Sequence, residues 1–173
     1  MTASEKTVNG ERTDLLETLS KHRHFLRYTV RDLTDEQAAK RTTASELCLA
    51  GLIKHVTAAE RQWANFIVDG PSAMGPRNEG VPPDWAEGFR MTEGETLVGL
   101  LEDYALVAAR TDALVAALPD LDIANLLPEA PWFEAGARWS ARRVLLHVIA
   151  ETAQHAGHAD IIRESLDGAR TMG

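Results

Sequence analysis

The chain is expected to be all-α, a four-helix bundle with long crossover loops. Three features of its 173 residues point there. Apolar residues recur at three-and-four spacing through four long windows; helix-starting and helix-stopping residues bracket those windows; and no convincing strand-like alternation lies between them.

The first window runs from about Thr13 to Asp32 and puts Leu15, Leu16, Leu19, Phe25, Leu26 and Val30 on one side. Thr34-Asp-Glu-Gln37 has the end residues of a capping box, which predicts a short helical turn. A similar signal, Thr43-Ala-Ser-Glu46, predicts the start of the second long helix, with Leu49, Leu52, Ile53, Val56, Ala59, Trp63 and Phe66 on its stripe. Gly70-Pro71 should stop it, since glycine accepts a left-handed cap and proline cannot continue the ladder. Thr92-Glu-Gly-Glu95 predicts the start of the third, which carries Leu97, Leu100, Leu101, Tyr104, Val107, Leu114 and Val115 and ends by Pro119. The fourth is framed by Ser140 as N-cap and Gly168 as stop.

Composition bounds what such a bundle does. One domain over residues 1–173, with its core at about 13–168, is the expectation for this length. Hydrophobic residues at 45% and charged ones at 25% fit a soluble globular protein, and no apolar run approaches the ~18 residues that span a bilayer. Met1-Thr-Ala-Ser-Glu-Lys lacks the basic start and apolar stretch of a secretory signal, so cytoplasmic residence is expected. A formal charge of -8, with no basic cluster denser than Arg142-Arg143 or Lys21 to Arg31, argues against nucleic acid as a partner. Cys48 is the only cysteine, which excludes an internal disulfide and a multi-thiolate zinc site. It reads as a small core residue.

The fourth helix holds the main anomaly. Val144, Val148, Glu151, His155, Ala159, Ile162 and Leu166 share one stripe, so a carboxylate and an imidazole interrupt an apolar face. A carboxylate buried without a partner costs several kcal/mol or shifts its pKa. Residues four apart on a helix lie ~6 Å apart along the axis, so Glu151 and His155 can converge on one cation; the same spacing also serves a plain hydrogen-bonded pair. On the second helix His55 falls beside the apolar stripe, where a histidine is either a satisfied core residue or a ligand. Taken together, His55, Glu151 and His155 form a two-histidine, one-carboxylate set that would leave coordination positions open. His147 and His158 flank that set by about one turn and are expected as outer partners of the ligands or as substrate contacts. Asp160, Arg163 and Glu164 are read as solvated, His22 as surface, and His24 as surface or marginal core.

Asp69 to Met91 and Pro119 to Trp139 are long connections holding Trp85, Trp132 and Trp139. These aromatics either roof a pocket or cover exposed helix edges.

Gly51-Leu-Ile-Lys-His55-Val, followed by Leu146-His147-Val-Ile-Ala-Glu151-Thr-Ala-Gln-His155-Ala-Gly-His158-Ala-Asp160-Ile-Ile-Arg163-Glu164, resembles the DinB/YfiT-like superfamily, especially its actinobacterial branch related to mycothiol-dependent enzymes. The likeness spans roughly Asp14 to Gly168. It implies a dimeric bundle holding zinc or a similar ion (Ni, Fe or Mn) at His55, Glu151 and His155. Many relatives have histidine where Glu151 stands, and the maleylpyruvate isomerase branch has glutamate; His158 stands where glutamine is common. The activity implied is transfer of a low-molecular-weight thiol such as mycothiol onto a small electrophile held under Trp85, Trp132 or Trp139. Metal-assisted hydrolysis and a non-catalytic, metal-binding stress-response role remain as alternatives.

Overall fold

The computed structural model describes residues 3–74 and 87–171, so Trp85 lies outside the described residues. Four long helices form the bundle: α1 (Ala3–Thr29), α3 (Leu49–Asp69), α4 (Leu97–Ala117) and α5 (Ala141–Asp167). A five-residue α2 (Asp35–Ala39) bridges α1 and α3. Turns of 3-10 helix cover Gly70–Met74 and Glu87–Phe89. Around the bundle α1 packs on α5, α5 on α3 and α3 on α4, while the α1–α4 seam makes fewer contacts. Among the described residues no helix is long and apolar enough to cross a membrane.

Local chemistry explains most boundaries. At Thr34 the full capping box forms: the Gln37 amide N–H donates to the Thr34 hydroxyl, and the Gln37 side chain accepts from the Thr34 N–H at 2.9 Å. Ser140 caps α5 by accepting from Arg143 N–H, and Gly168 ends it in the left-handed region at φ 79°. Gly70, at φ 63°, ends α3 as expected.

Other boundaries differ. α1 begins ten residues before Thr13 and ends at Thr29, before Asp32. The Thr43 hydroxyl pairs with Ser45 instead of the Glu46 amide, and the Glu46 carboxylate is drawn to Arg41 and Arg90; α3 therefore starts at Leu49, with the Cys48 sulfur accepting from Gly51 N–H at 3.4 Å. Cys48 is buried as expected, yet its sulfur is also the cap. Thr92-Glu-Gly-Glu95 makes a turn ahead of α4, in which Thr92 N–H donates to the Glu95 carboxylate at 2.7 Å, and Thr96 is the true N-cap. A two-stranded antiparallel ladder also forms, β1 (Ala124–Leu126) with β2 (Arg138–Ser140). Strands of three residues are too short to show alternation, which is why periodicity misses them.

The apolar core comes in two parts. One gathers Leu26, Leu49, Leu52, Ile53, Ala159 and Ile162; the other gathers Leu19, Phe66, Val115, Leu121, Val144 and Leu145. Between them sits a polar belt. Arg23 and Glu60 are 5% and 1% exposed and meet through two hydrogen bonds, with Asp112 taking a third guanidinium N–H at 2.8 Å. Thr57, Thr111 and Thr152 are buried in neighbouring turns, and each donates its hydroxyl proton to the carbonyl four residues back. Arg163 is likewise buried: it caps the end of α1 by donating to the Thr29 and Arg31 carbonyls at 2.7 and 2.8 Å, and it pairs with Asp167. The solvated reading of Arg163 therefore fails, because open carbonyls at a helix C-terminus attract a guanidinium. Asp160 accepts from Thr171 N–H, and Glu164 stays exposed beside Arg170.

Candidate metal centre

α3 and α5 meet along a seam on which His55, beside the α3 stripe, faces the polar interruption of the α5 stripe. His55 Nε2 lies 3.0 Å from Glu151 Oε1, and His155 Nε2 lies 3.2 Å from the same oxygen. One ligating atom from each residue falls within 4.8 Å of the other two. The helical spacing of Glu151 and His155 sets one side of this triangle, and the α3–α5 contact sets the other.

The donor set fits a divalent cation. Imidazole nitrogen and carboxylate oxygen bind zinc and its neighbours at ~2.1 Å, which puts donors ~3.4 Å apart in a tetrahedron. Two of the separations are already close to that value, and the widest, at up to 4.8 Å, has to shrink by about 1.4 Å, within the reach of a side-chain adjustment. Protonated at Nε2, the two imidazoles donate to Glu151 and satisfy it; bare at Nε2, they turn lone pairs toward the same point. Those hydrogen bonds, from His155 first and then His55, hold the Glu151 carboxyl well below the usual carboxylate range against the opposing pull of burial. The acid is therefore an anion at neutral pH. Side-chain exposures of 21%, 27% and 10% for His55, Glu151 and His155 leave the rim of the seam open to a small molecule.

The flanking histidines differ in position. His158 Nδ1 lies 3.3 Å from His155 Nδ1, on the side of the ring away from Glu151. It offers an acceptor to the tautomer in which His155 carries its proton on Nδ1 and leaves Nε2 free. His147 points into an aromatic group instead: its ring meets Trp63 edge-on at 4.8 Å and Trp139 at 5.2 Å. Burial, opposed by Glu151 and aided by Arg143, lowers the His147 pKa, so this imidazole is neutral near pH 7.

Trp139 stacks on Trp63 at 4.8 Å, carries the Arg143 guanidinium at 4.4 Å and touches Phe133. Trp132 stands at the outer end of this series, against Phe133, and is 65% exposed. The aromatic wall beside the triad is thus Trp63, Trp139 and His147, with Trp132 peripheral to it. On the sequence Trp63 reads only as a core residue, and its signal is its place on the stripe two turns beyond His55. Phe89, which stacks on the His55 ring at 4.0 Å, has no signal of its own in the sequence.

The family described as Mycothiol-S-transferase matches residues 14–168. The chain belongs to it. This family is DinB/YfiT-like and related to mycothiol enzymes, as the residues around His55 and Glu151 to Asp160 indicated. No curated protein and no solved structure matches the chain. Membership of the mycothiol-S-transferase family implies a small-molecule thiol as substrate, and the lack of a nearby protein thiol agrees with it: Cys48 is buried and committed to capping α3.

Proposed function

We propose that this mycothiol-S-transferase family member joins a low-molecular-weight thiol, mycothiol or a close analogue, to a small electrophile at a divalent ion held by His55, Glu151 and His155. The observation carrying the proposal is the convergence of three ligating atoms within 4.8 Å, from two helices, on a seam that solvent reaches. An ion bound there supplies a Lewis acid that lowers the thiol pKa, and the reactive species in such chemistry is the thiolate. Zinc heads the candidates for this donor set, with Ni, Fe and Mn compatible.

The protein's own groups have distinct parts. Glu151 brings a fixed negative charge and His55 and His155 bring none when neutral, so the set keeps cationic character once a divalent ion is added. His158 holds the His155 tautomer. His147, neutral and one turn from Glu151, serves as a substrate contact beside the Trp63–Trp139 face, and the thiol proton leaves to solvent. The sulfur lone pair then forms the bond to the electrophilic carbon; either a leaving group departs with its electron pair or a conjugated carbon takes up a proton. The Trp63–Trp139 face supplies apolar surface for the electrophile, with Trp132 at its outer edge. A homodimer belongs to the same proposal by family likeness and is read by light scattering.

The test is thiol consumption against a panel of electrophiles, using chelator-stripped protein reloaded with zinc. Turnover that needs both zinc and thiol, and that His155→Ala abolishes, is expected. Equal rates for His155→Ala and wild type sink the proposal, and turnover without thiol points to hydrolysis.

A further inference from the structure

The segment just before α4 lies unusually close to α3. A Cβ added at Gly51 would stand 1.8 Å from the Phe89 carbonyl oxygen, so no residue larger than glycine fits there without moving the 87–90 backbone. Two polar contacts reach that backbone, and a third holds the lysine that makes one of them. The Cys48 thiol reaches the Phe89 carbonyl at 3.7 Å; Lys54 Nζ donates to the Arg90 carbonyl at 3.3 Å; and Lys54 pairs with Glu95 at 2.9 Å. Glu95 in turn accepts from Thr92 N–H.

The outcome of this clamping is one side-chain contact. The Phe89 ring lies nearly parallel to the His55 ring, 22° apart with centroids at 4.0 Å. The edge of His155 meets His55 at 4.8 Å and 72°. His55 thus has the Phe89 ring over its face and the His155 ring beside it, with Phe89 and His155 themselves 5.9 Å apart, in the orientation that brings Nε2 to Glu151. Ligand orientation of this kind is ordinarily fixed by a hydrogen bond to the second imidazole nitrogen; here a stacked ring does it.

We propose that Phe89 is a positioning residue that fixes the ligand orientation of His55, and that Gly51 and Lys54 act through it by docking the 87–90 segment. This rests on the metal reading above. It also gives a physical role to the Gly51-x-x-Lys54-His55 pattern: the glycine admits the segment, the lysine fastens it, and the histidine receives the ring. Loss of an outer contact that orients a ligand lowers metal affinity by about 10- to 100-fold.

Zinc affinity of the full chain, measured by competition with a chromophoric chelator, tests this together with the absorption spectrum of the cobalt-loaded protein. Phe89→Leu keeps an apolar cover but loses the flat face, and it is expected to weaken zinc about 10-fold or more and to shift the cobalt bands. Phe89→Tyr restores the flat face and stays near wild type in both readouts. Gly51→Ala touches neither ring and favours helix, yet it should weaken zinc like Phe89→Leu. Circular dichroism checks folding; should one of these variants fail to fold, the other two are read by the same criteria. His55→Ala separates the two claims. If it loses zinc while Phe89→Leu and Gly51→Ala bind as wild type, the positioning role is overturned and the metal reading stands; if it binds zinc as wild type, the metal reading itself falls.

Discussion

Two carboxylates face the interior of this bundle, and they are satisfied in opposite ways. Glu60 is fully enclosed and matched by the Arg23 guanidinium through both oxygens. Glu151 is half-buried and matched by two imidazoles through one oxygen. A guanidinium is permanently charged and has no lone pair to offer, so the Arg23–Glu60 pair is closed to any further ion. An imidazole can surrender its proton and turn a lone pair to the same point, so the Glu151 set is open to one. The two sites are near neighbours: Glu60 and Glu151 both line the narrow hollow between α3 and α5, with Trp63 and Thr152. What separates structure from chemistry here is the partner each carboxylate has.

The contrast is sharpest in stability. Glu60→Leu leaves a buried guanidinium without its main counter-charge, and breaking a pair this deep costs about 3–5 kcal/mol. Urea denaturation should show that loss, and Arg23→Met combined with Glu60→Leu should recover most of it. Glu151→Gln retains an acceptor for the imidazoles and is expected to cost about 1 kcal/mol. Similar losses for Glu60→Leu and Glu151→Gln would erase the distinction.

Metal binding should reverse the ranking. His55→Ala and Glu151→Gln are expected to remove most zinc affinity in chelator competition, while Arg23→Met with Glu60→Leu, if folded, keeps it. His158→Ala removes only the acceptor behind His155 and should lower affinity by about 10-fold, with little change in melting temperature.

Acid gives the smallest signal and a signed one. Glu151 has its pKa lowered in the folded state, by the His155 hydrogen bond first. Its contribution to stability is therefore fully present above the unfolded carboxylate pKa of ~4.3 and is lost as pH falls through that value toward the folded one. Denaturation curves should show wild type losing more stability than Glu151→Gln as the pH falls from about 6 to about 3, across the carboxylate pKa of ~4.3. Parallel losses would mean that the carboxylate gains nothing from its imidazoles.

How much of this was legible depended on how local the signal was. The Thr34 box, the Ser140 cap and the Gly168 stop depend on residues a turn apart, and the sequence carries each in full. Thr43-Ala-Ser-Glu46 has the same letters as a cap, but Arg41 and Arg90 divert its glutamate, and cysteine is an unusual cap. Within the candidate site, Glu151 and His155 are legible because they break an apolar stripe, and His55 because it lies beside one. Phe89 and Trp63 break nothing: Trp63 continues an apolar stripe, Phe89 sits in a connection without any pattern, and the role of each exists only through a tertiary contact with His55 or Trp139. Arg23 and Arg163 were hidden for a related reason, since a long charged side chain on a helix gives no sign of whether its head is buried.

Cobalt substitution followed by addition of mycothiol tests the central claim most directly. Wild type is expected to retain one cobalt per chain and to develop a near-ultraviolet sulfur-to-cobalt band as thiol is added, while His55→Ala retains none. A bound-cobalt spectrum that saturating thiol leaves unchanged, or cobalt held equally well without His55, would contradict it.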